Sequence, residues 1–315
     1  MPPSNLQIHL ALLTVSSIYA IFYIIIKLLL QEIGQAELIL MRFVLTGLIA
    51  VGIDFILGRS KITSTKTVFQ VMGTGVVGVF LVQIFLIIGL NLTTTFHSAL
   101  IMATVPILTM AFGILMKREV FNKQRLIGIL LAFFGVAILL AFKPSNEVLP
   151  PYYLEGDILV MIAACAFAWF LLASKRLLTE IKPFSLMAYS YLFSALAFAG
   201  VFWVGAAAGH HELSYDFLVE MSPNGWWMLF YVVIFASIGT YTLNNFALKH
   251  TRPSMVAAYI FIQPILTAFL GTVVLKEAFY WDMIIAAGMT FAGVMIATIS
   301  PDGPDKGFSA PKKAG

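Results

Sequence analysis

The chain is built from long, nearly uninterrupted apolar runs, and no other property constrains its fold as strongly. A helix of about 20 apolar residues spans the hydrocarbon core of a bilayer. Ten runs of that order lie at 7–30, 36–58, 68–90, 96–116, 124–142, 155–174, 184–207, 226–248, 254–275 and 281–300. Helices are expected rather than strands, because a continuous apolar run must satisfy its backbone within itself. The first run is too long for a cleaved leader. It has no Lys/Arg-rich start and no small-residue cleavage pattern before Gln31-Glu32, so a retained helix is expected. Only 11% of residues are charged, against roughly 25% in soluble domains.

The charges that remain set the orientation. Arg59, Lys61, Lys66, Lys117, Arg118, Lys123, Arg125, Lys175, Arg176, Lys182, Lys249, Arg252, Lys306, Lys312 and Lys313 fall on one side of the ten runs. Lys27, Lys143 and Lys276 fall on the other, and Arg42 lies inside the second run. Positive residues accumulate on the cytoplasmic side, so both termini are expected there, in a membrane that reads as a bacterial inner membrane. The largest outer loop, around His210, His211, Glu212, Asp216 and Glu220, fits that side. The basic residues sit in short clusters between apolar runs, so the net charge of +4 is no nucleic-acid signal. The tail 301–315 reads as disordered. Cys165 is the single cysteine and lies within a run, which leaves no disulfide framework.

The sequence also repeats. HSALIMATVPILTMAFGILMKREVF (97–121) aligns without a gap on MVAAYIFIQPILTAFLGTVVLKEAF (255–279), pairing Pro106 with Pro264 and Glu119 with Glu277. A weaker echo joins KLLLQE (27–32) to KRLLTE (175–180). The expected organisation is a first five-helix repeat at 1–142, a linker at 143–153 and a second repeat at 154–300. Five is odd, so the second copy enters the membrane inverted. The fold class expected is therefore all-α and integral to the membrane, ten helices in two inverted repeats around a central cavity. Inverted repeats are characteristic of secondary carriers.

These features resemble the EamA family of the drug/metabolite transporter superfamily. The resemblance rests on P-[IL]-L-T followed by Glu 13 residues after the Pro, present in both halves, on Lys27 closing the first helix, and on Met41-Arg42-Phe43 in the second. Tyr19 and Ala20 stand where the family has Trp and Gly. The resemblance implies a ten-helix carrier with a central cavity, for substrates that range over amino acids and other metabolites.

Polar side chains within the runs are the candidates for substrate contact, since each is costly to place there. Ser16, Tyr19, Tyr23 and Lys27 share a face of the first helix, and Tyr259, Gln263 and Thr267 one of the ninth. Gln83, Trp169, Tyr241, Asn244 and His97 complete the substrate-binding candidates. Asn245 points away from Asn244, so one of the two at most is expected to face a cavity. Arg42 reads first as a packing or headgroup anchor and second as the counter-charge for an anionic group. Pro106 and Pro264 are expected to bend their helices and serve as gates.

No metal-hydrolase cluster and no phosphate-binding loop occurs. Asp54 and Asp157 lie at opposite ends of their helices, which excludes a paired-aspartate protease. The expected function is transport of a small organic solute, an amino acid or related amphipathic molecule, with export the preferred direction. No cofactor is expected; the bilayer and the solute are the partners. Facilitated diffusion, exchange and coupling to protons all fit, and a non-transporting receptor on a carrier fold is the alternative.

Overall fold

The computed structural model describes residues 3–58, 64–93, 101–141, 151–207, 217–274 and 281–299. Helix α1 (Asn5–Leu29) starts from Ser4, whose hydroxyl accepts from the Gln7 amide while the Gln7 side chain accepts from the Ser4 amide. This reciprocal cap satisfies two donors that the first turn leaves open. Helix α2 (Gln35–Ile56) follows after a short turn. The third run forms one rod from α3 (Thr65–Gly75), a π-helical turn (Val76–Leu81) and α4 (Val82–Leu92). Then come α5 (Val105–Leu115), α6 (Lys123–Ala141), α7 (Tyr153–Leu177) and α8 (Pro183–Ala207). After a short α9 (Phe217–Glu220), α10 (Pro223–Val233), a second π-helical turn (Ile234–Gly239) and α11 (Thr240–His250) form another long rod. Helix α12 (Pro253–Ala258), a 3-10 turn (Tyr259–Phe261), α13 (Ile262–Val274) and α14 (Trp281–Thr298) end the described chain. Among the described residues, six helices are long and apolar enough to cross a membrane, and three shorter apolar helices accompany them. The protein is an integral membrane protein.

The element boundaries repeat. Asn5 and Tyr153 open α1 and α7, Gln35 and Pro183 open α2 and α8, and both shifts are 148 residues. Thr65 and Pro223, Val76 and Ile234, Val82 and Thr240, and Lys123 and Trp281 all stand 158 apart. These are the shifts of the two sequence echoes, and the ten-residue difference falls between α8 and α10. The two π-turns occupy equivalent places. Each proline's run also breaks within five residues before the ring: Ala103 and Thr104 form a turn before Pro106, and Tyr259–Phe261 is a 3-10 turn before Pro264. The break precedes the ring because proline removes a donor and crowds the carbonyl four residues back.

Repeat-equivalent helices pack on each other and run antiparallel. In α2 against α8, a β-carbon on Gly47 would sit 3.1 Å from Leu192 Cα, and Ser185 Oγ donates to Asp54 Oδ1 at 2.6 Å. In α6 against α14, Gly128 abuts Gly293 and Ala297 while Gly135 abuts Ala286 and Thr290. Small residues let backbones approach this closely where lipid offers no hydrophobic drive. The first helix of each repeat packs on the other repeat, α1 on α11 and α13, α7 on α4 and α5. Asp54 is buried and its bond to Ser185 is charge-assisted, so Ser185→Ala is expected to cost about 1.5–3 kcal/mol, read as a lowered melting temperature in detergent.

The loop after α5 also crosses between repeats. Lys117 takes a left-handed conformation (φ 55), and Arg118 and Lys117 amides bond back to the Gly113 and Ile114 carbonyls. That closure turns Glu119 onto the start of α12. Its carboxylate accepts from the Ser254 amide (3.0 Å), the Ser254 hydroxyl (2.6 Å) and Arg125 Nη1 (3.2 Å). At the opposite end Glu32 does the same for α10, accepting from the Ser222 amide and hydroxyl, both at 2.9 Å. Carboxylates favour helix N-termini because unpaired amides point at them.

Candidate substrate site

Helix α2 carries Arg42 as the eighth of its 22 residues, about 10 Å along the axis from its first turn. The side chain is 4% exposed. Its Nε donates to Ser237 Oγ at 2.8 Å, and Nη1 to Gln83 Oε1 at 3.3 Å. The guanidinium carbon lies 4.9 Å from the centre of the Phe22 ring, a cation–π distance. The Tyr191 hydroxyl lies beside the guanidinium, and Arg42 Nη2 and Tyr191 Oη are both buried with no other hydrogen-bond partner among the described residues. Arg42 thus turns inward among helices, and contact with lipid headgroups does not fit its burial.

Ser237 reaches Arg42 because of the π-turn. Its hydroxyl donates to the Val232 carbonyl five residues back, at 2.8 Å. A π-turn widens the helix by one residue and re-aims the side chains it carries. Around the cation the rings interlock: Tyr191 meets Tyr241 edge-on at 5.1 Å and Phe43 at 6.1 Å, and Tyr19 meets Phe22 at 5.8 Å. Thr240 Oγ1 donates to the Tyr19 hydroxyl at 3.4 Å.

The repeat registers explain the convergence. A shift of 148 maps Phe43 onto Tyr191 and Arg42 onto Ser190; a shift of 158 maps Gln83 onto Tyr241 and Val79 onto Ser237. Equivalent residues of the two halves therefore meet, with Phe43 against Tyr191 and Gln83 beside Tyr241. The polarity is unequal, since only the first half supplies a cation here and only the second supplies Ser237.

Comparison with known proteins decides the family. A profile of the EamA-like transporter family matches residues 6–141 and again 154–299. The chain belongs to the EamA-like transporter family. It is a membrane transporter and not an enzyme. The chain is 26% identical over 274 residues to the uncharacterized transporter YetK of Bacillus subtilis (strain 168), covering 87% of this chain and 81% of that protein. An uncharacterized transporter of Archaeoglobus fulgidus is 24% identical over 295 residues, 93% of this chain and 98% of its own length. The Arabidopsis thaliana protein WALLS ARE THIN 1 is 21% identical over 349 residues, 99% of this chain and 87% of its own. A crystallised protein superposes with a TM-score of 0.73 at 18% identity, over 94% of this chain and 97% of that one, which shows a common fold.

The EamA chain brings Tyr19, Gln83 and Tyr241 together with Arg42. Tyr259 and Gln263 form a separate group. The Tyr259 hydroxyl shares a hydrogen bond with His9, and Ser16 Oγ donates to the Tyr259 carbonyl at 2.9 Å, tying α1 to the 3-10 turn. Gln263 is buried one turn further on. Asn245 is the buried asparagine and donates to the Pro183 carbonyl at 3.3 Å, whereas Asn244 is half-buried. Trp169 is half-buried on α7. Pro106 is buried in the first turn of α5, and Pro264 is half-buried near the start of α13. His97 and the side chains of Tyr23, Lys27 and Thr267 lie outside the described residues. Phe22, Tyr191, Ser237 and His9 were not singled out in the sequence. The 148-residue register, applied to Met41-Arg42-Phe43, would have exposed Tyr191; Ser237 left no signal because a π-turn has no compositional mark. Tyr259→Phe is expected to destabilise the protein by about 0.5–1.5 kcal/mol, measured by thermal unfolding, by removing the bond to His9.

Proposed function

We propose that this protein carries a small organic solute across the bilayer by alternating access, with ten crossings arranged as two inverted five-helix halves. The halves are 1–142 and 154–300, joined by 143–153. Antiparallel packing of the equivalent pairs α2/α8 and α6/α14 supports the inversion. The described helices α5, α12–α13 and α14 supply the shorter crossings. What carries the reading is the polar cluster of buried Arg42, Tyr241 and Tyr191 with half-buried Gln83, where equivalent residues of both halves face each other. A site on that axis is reached by either half's movement, as alternating access requires. The Lys and Arg asymmetry supports cytoplasmic termini in a bacterial inner membrane, and an amphipathic metabolite such as an amino acid, moved outward, suits rings interleaved with amides and hydroxyls. Pro106 and Pro264 sit where both runs break and are the proposed gate hinges. Protons remain a candidate coupling ion.

Uptake and counterflow in proteoliposomes, against a panel of amino acids, nucleosides, polyamines and organic acids, test this reading. Saturable flux is the expected result. Tyr241→Ala is expected to lower that flux at least about tenfold while the protein stays inserted, because it removes a buried ring from the axis. Ligand binding without flux across the whole panel would make the protein a receptor on a carrier fold instead.

A further inference from the structure

Among the described residues Arg42 is a charge without a counter-charge. The guanidinium stays protonated at any working pH, and a cation held away from water must be compensated. Its partners are neutral: a hydroxyl, an amide oxygen and a phenyl face. Among the described residues no Asp or Glu lies within ion-pair distance of it; the described ion pair is Arg125 with Glu119. Two of its three nitrogens are occupied. The third, Nη2, is buried with no other partner among the described residues, and so is the Tyr191 hydroxyl beside the guanidinium.

We infer that the solute bears a carboxylate, bound between Arg42 Nη2 and the Tyr191 hydroxyl, so that the substrate completes the ion pair the protein leaves open. This rests on the carrier reading above. A carboxylate matches on three counts. It is an acceptor with two oxygens, and two donors await it. It carries one negative charge, and one cation is present; a phosphate dianion would remain half neutralised. Its remaining body would lie against the rings of Phe22, Tyr19 and Tyr241, which favours an apolar or aromatic carbon skeleton. Arg42 and Tyr191 then decide between acids and their neutral analogues, because a buried donor pair left without its acceptor penalises the wrong solute.

The test uses full-length protein and paired probes: benzoate with benzamide, and phenylalanine with phenylalaninamide. Binding is read by thermal shift in detergent and transport by counterflow in proteoliposomes. At least one acid is expected to bind at least about tenfold more tightly than its amide. Arg42→Gln should abolish that preference, Tyr191→Phe should weaken acid binding about tenfold, and Arg42→Lys, which keeps the charge, should retain part of it. The ligand-free melting temperature of each variant separates loss of binding from loss of fold, and Tyr191→Phe leaves the ring packing intact. The inference is overturned if every acid that binds is matched by its amide, if acid binding survives Arg42→Gln, or if no acid binds. Saturable flux of a neutral solute in those cases would leave the carrier reading standing. Acid binding that depends on Arg42 without any flux would uphold the inference and reject the carrier.

Discussion

Glu119→Ala is expected to destabilise the protein by about 3–5 kcal/mol, the largest effect of any substitution away from the core. Glu119 accepts from Arg125 and twice from Ser254, and both Glu119 and Arg125 are buried. Alanine leaves the Arg125 guanidinium facing the gap and uncaps α12, so the loss exceeds that of an exposed pair. Thermal unfolding in detergent measures it. The companion variant is Glu119→Leu with Arg125→Met, which removes both charges together. It should recover most of the stability, because a buried pair replaced by apolar groups of similar volume is close to neutral. A single variant that melts with the parent protein would mean that water replaces the lost acceptor.

Gly293→Leu should have the second largest effect. A β-carbon there would come 2.5 Å from the Gly128 carbonyl oxygen and 2.8 Å from Ala132 Cβ. The obstacle is mostly backbone, which cannot swing aside as a side chain can. The α6/α14 pair must separate, at a cost of about 1–3 kcal/mol for overpacking, with further loss of the contacts that small residues permit along the seam. Size-exclusion profiles and melting temperatures should both shift. Gly288→Leu, on the same helix with open space around its β-carbon position, is the matched control and should leave both unchanged.

The fold was largely legible because its main determinants are local. Hydropathy placed the described crossing helices to within a few residues: 36–58 against Gln35–Ile56, 124–142 against Lys123–Ala141, 184–207 against Pro183–Ala207. The repeat was legible for a similar reason, since PILT and the following Glu recur at one spacing in each copy, and in the first copy the structure shows Glu119 capping a helix. Its ionic partner Arg125 lies six residues on, at the start of the next helix. The candidate site was only half legible. Tyr19, Gln83 and Tyr241 stand out as polar groups in apolar runs, but nothing in one helix says which way a lone arginine turns. That direction is set by Ser237 and Phe22, more than two hundred residues apart in sequence, and by a π-turn that the residues VVGVFL and IFASIG do not announce.

Those two π-turns also carry a history. Such turns are rare, well under 1% of residues, yet they occupy the same place in both halves, Val76–Leu81 and Ile234–Gly239. Two independent origins at one position are far less economical than one, so the wide turn predates the duplication. The ancestral unit already had it, while Ser237 and its counterpart Val79 diverged later. The cation at position 42 is likewise present in one half alone, its counterpart being Ser190.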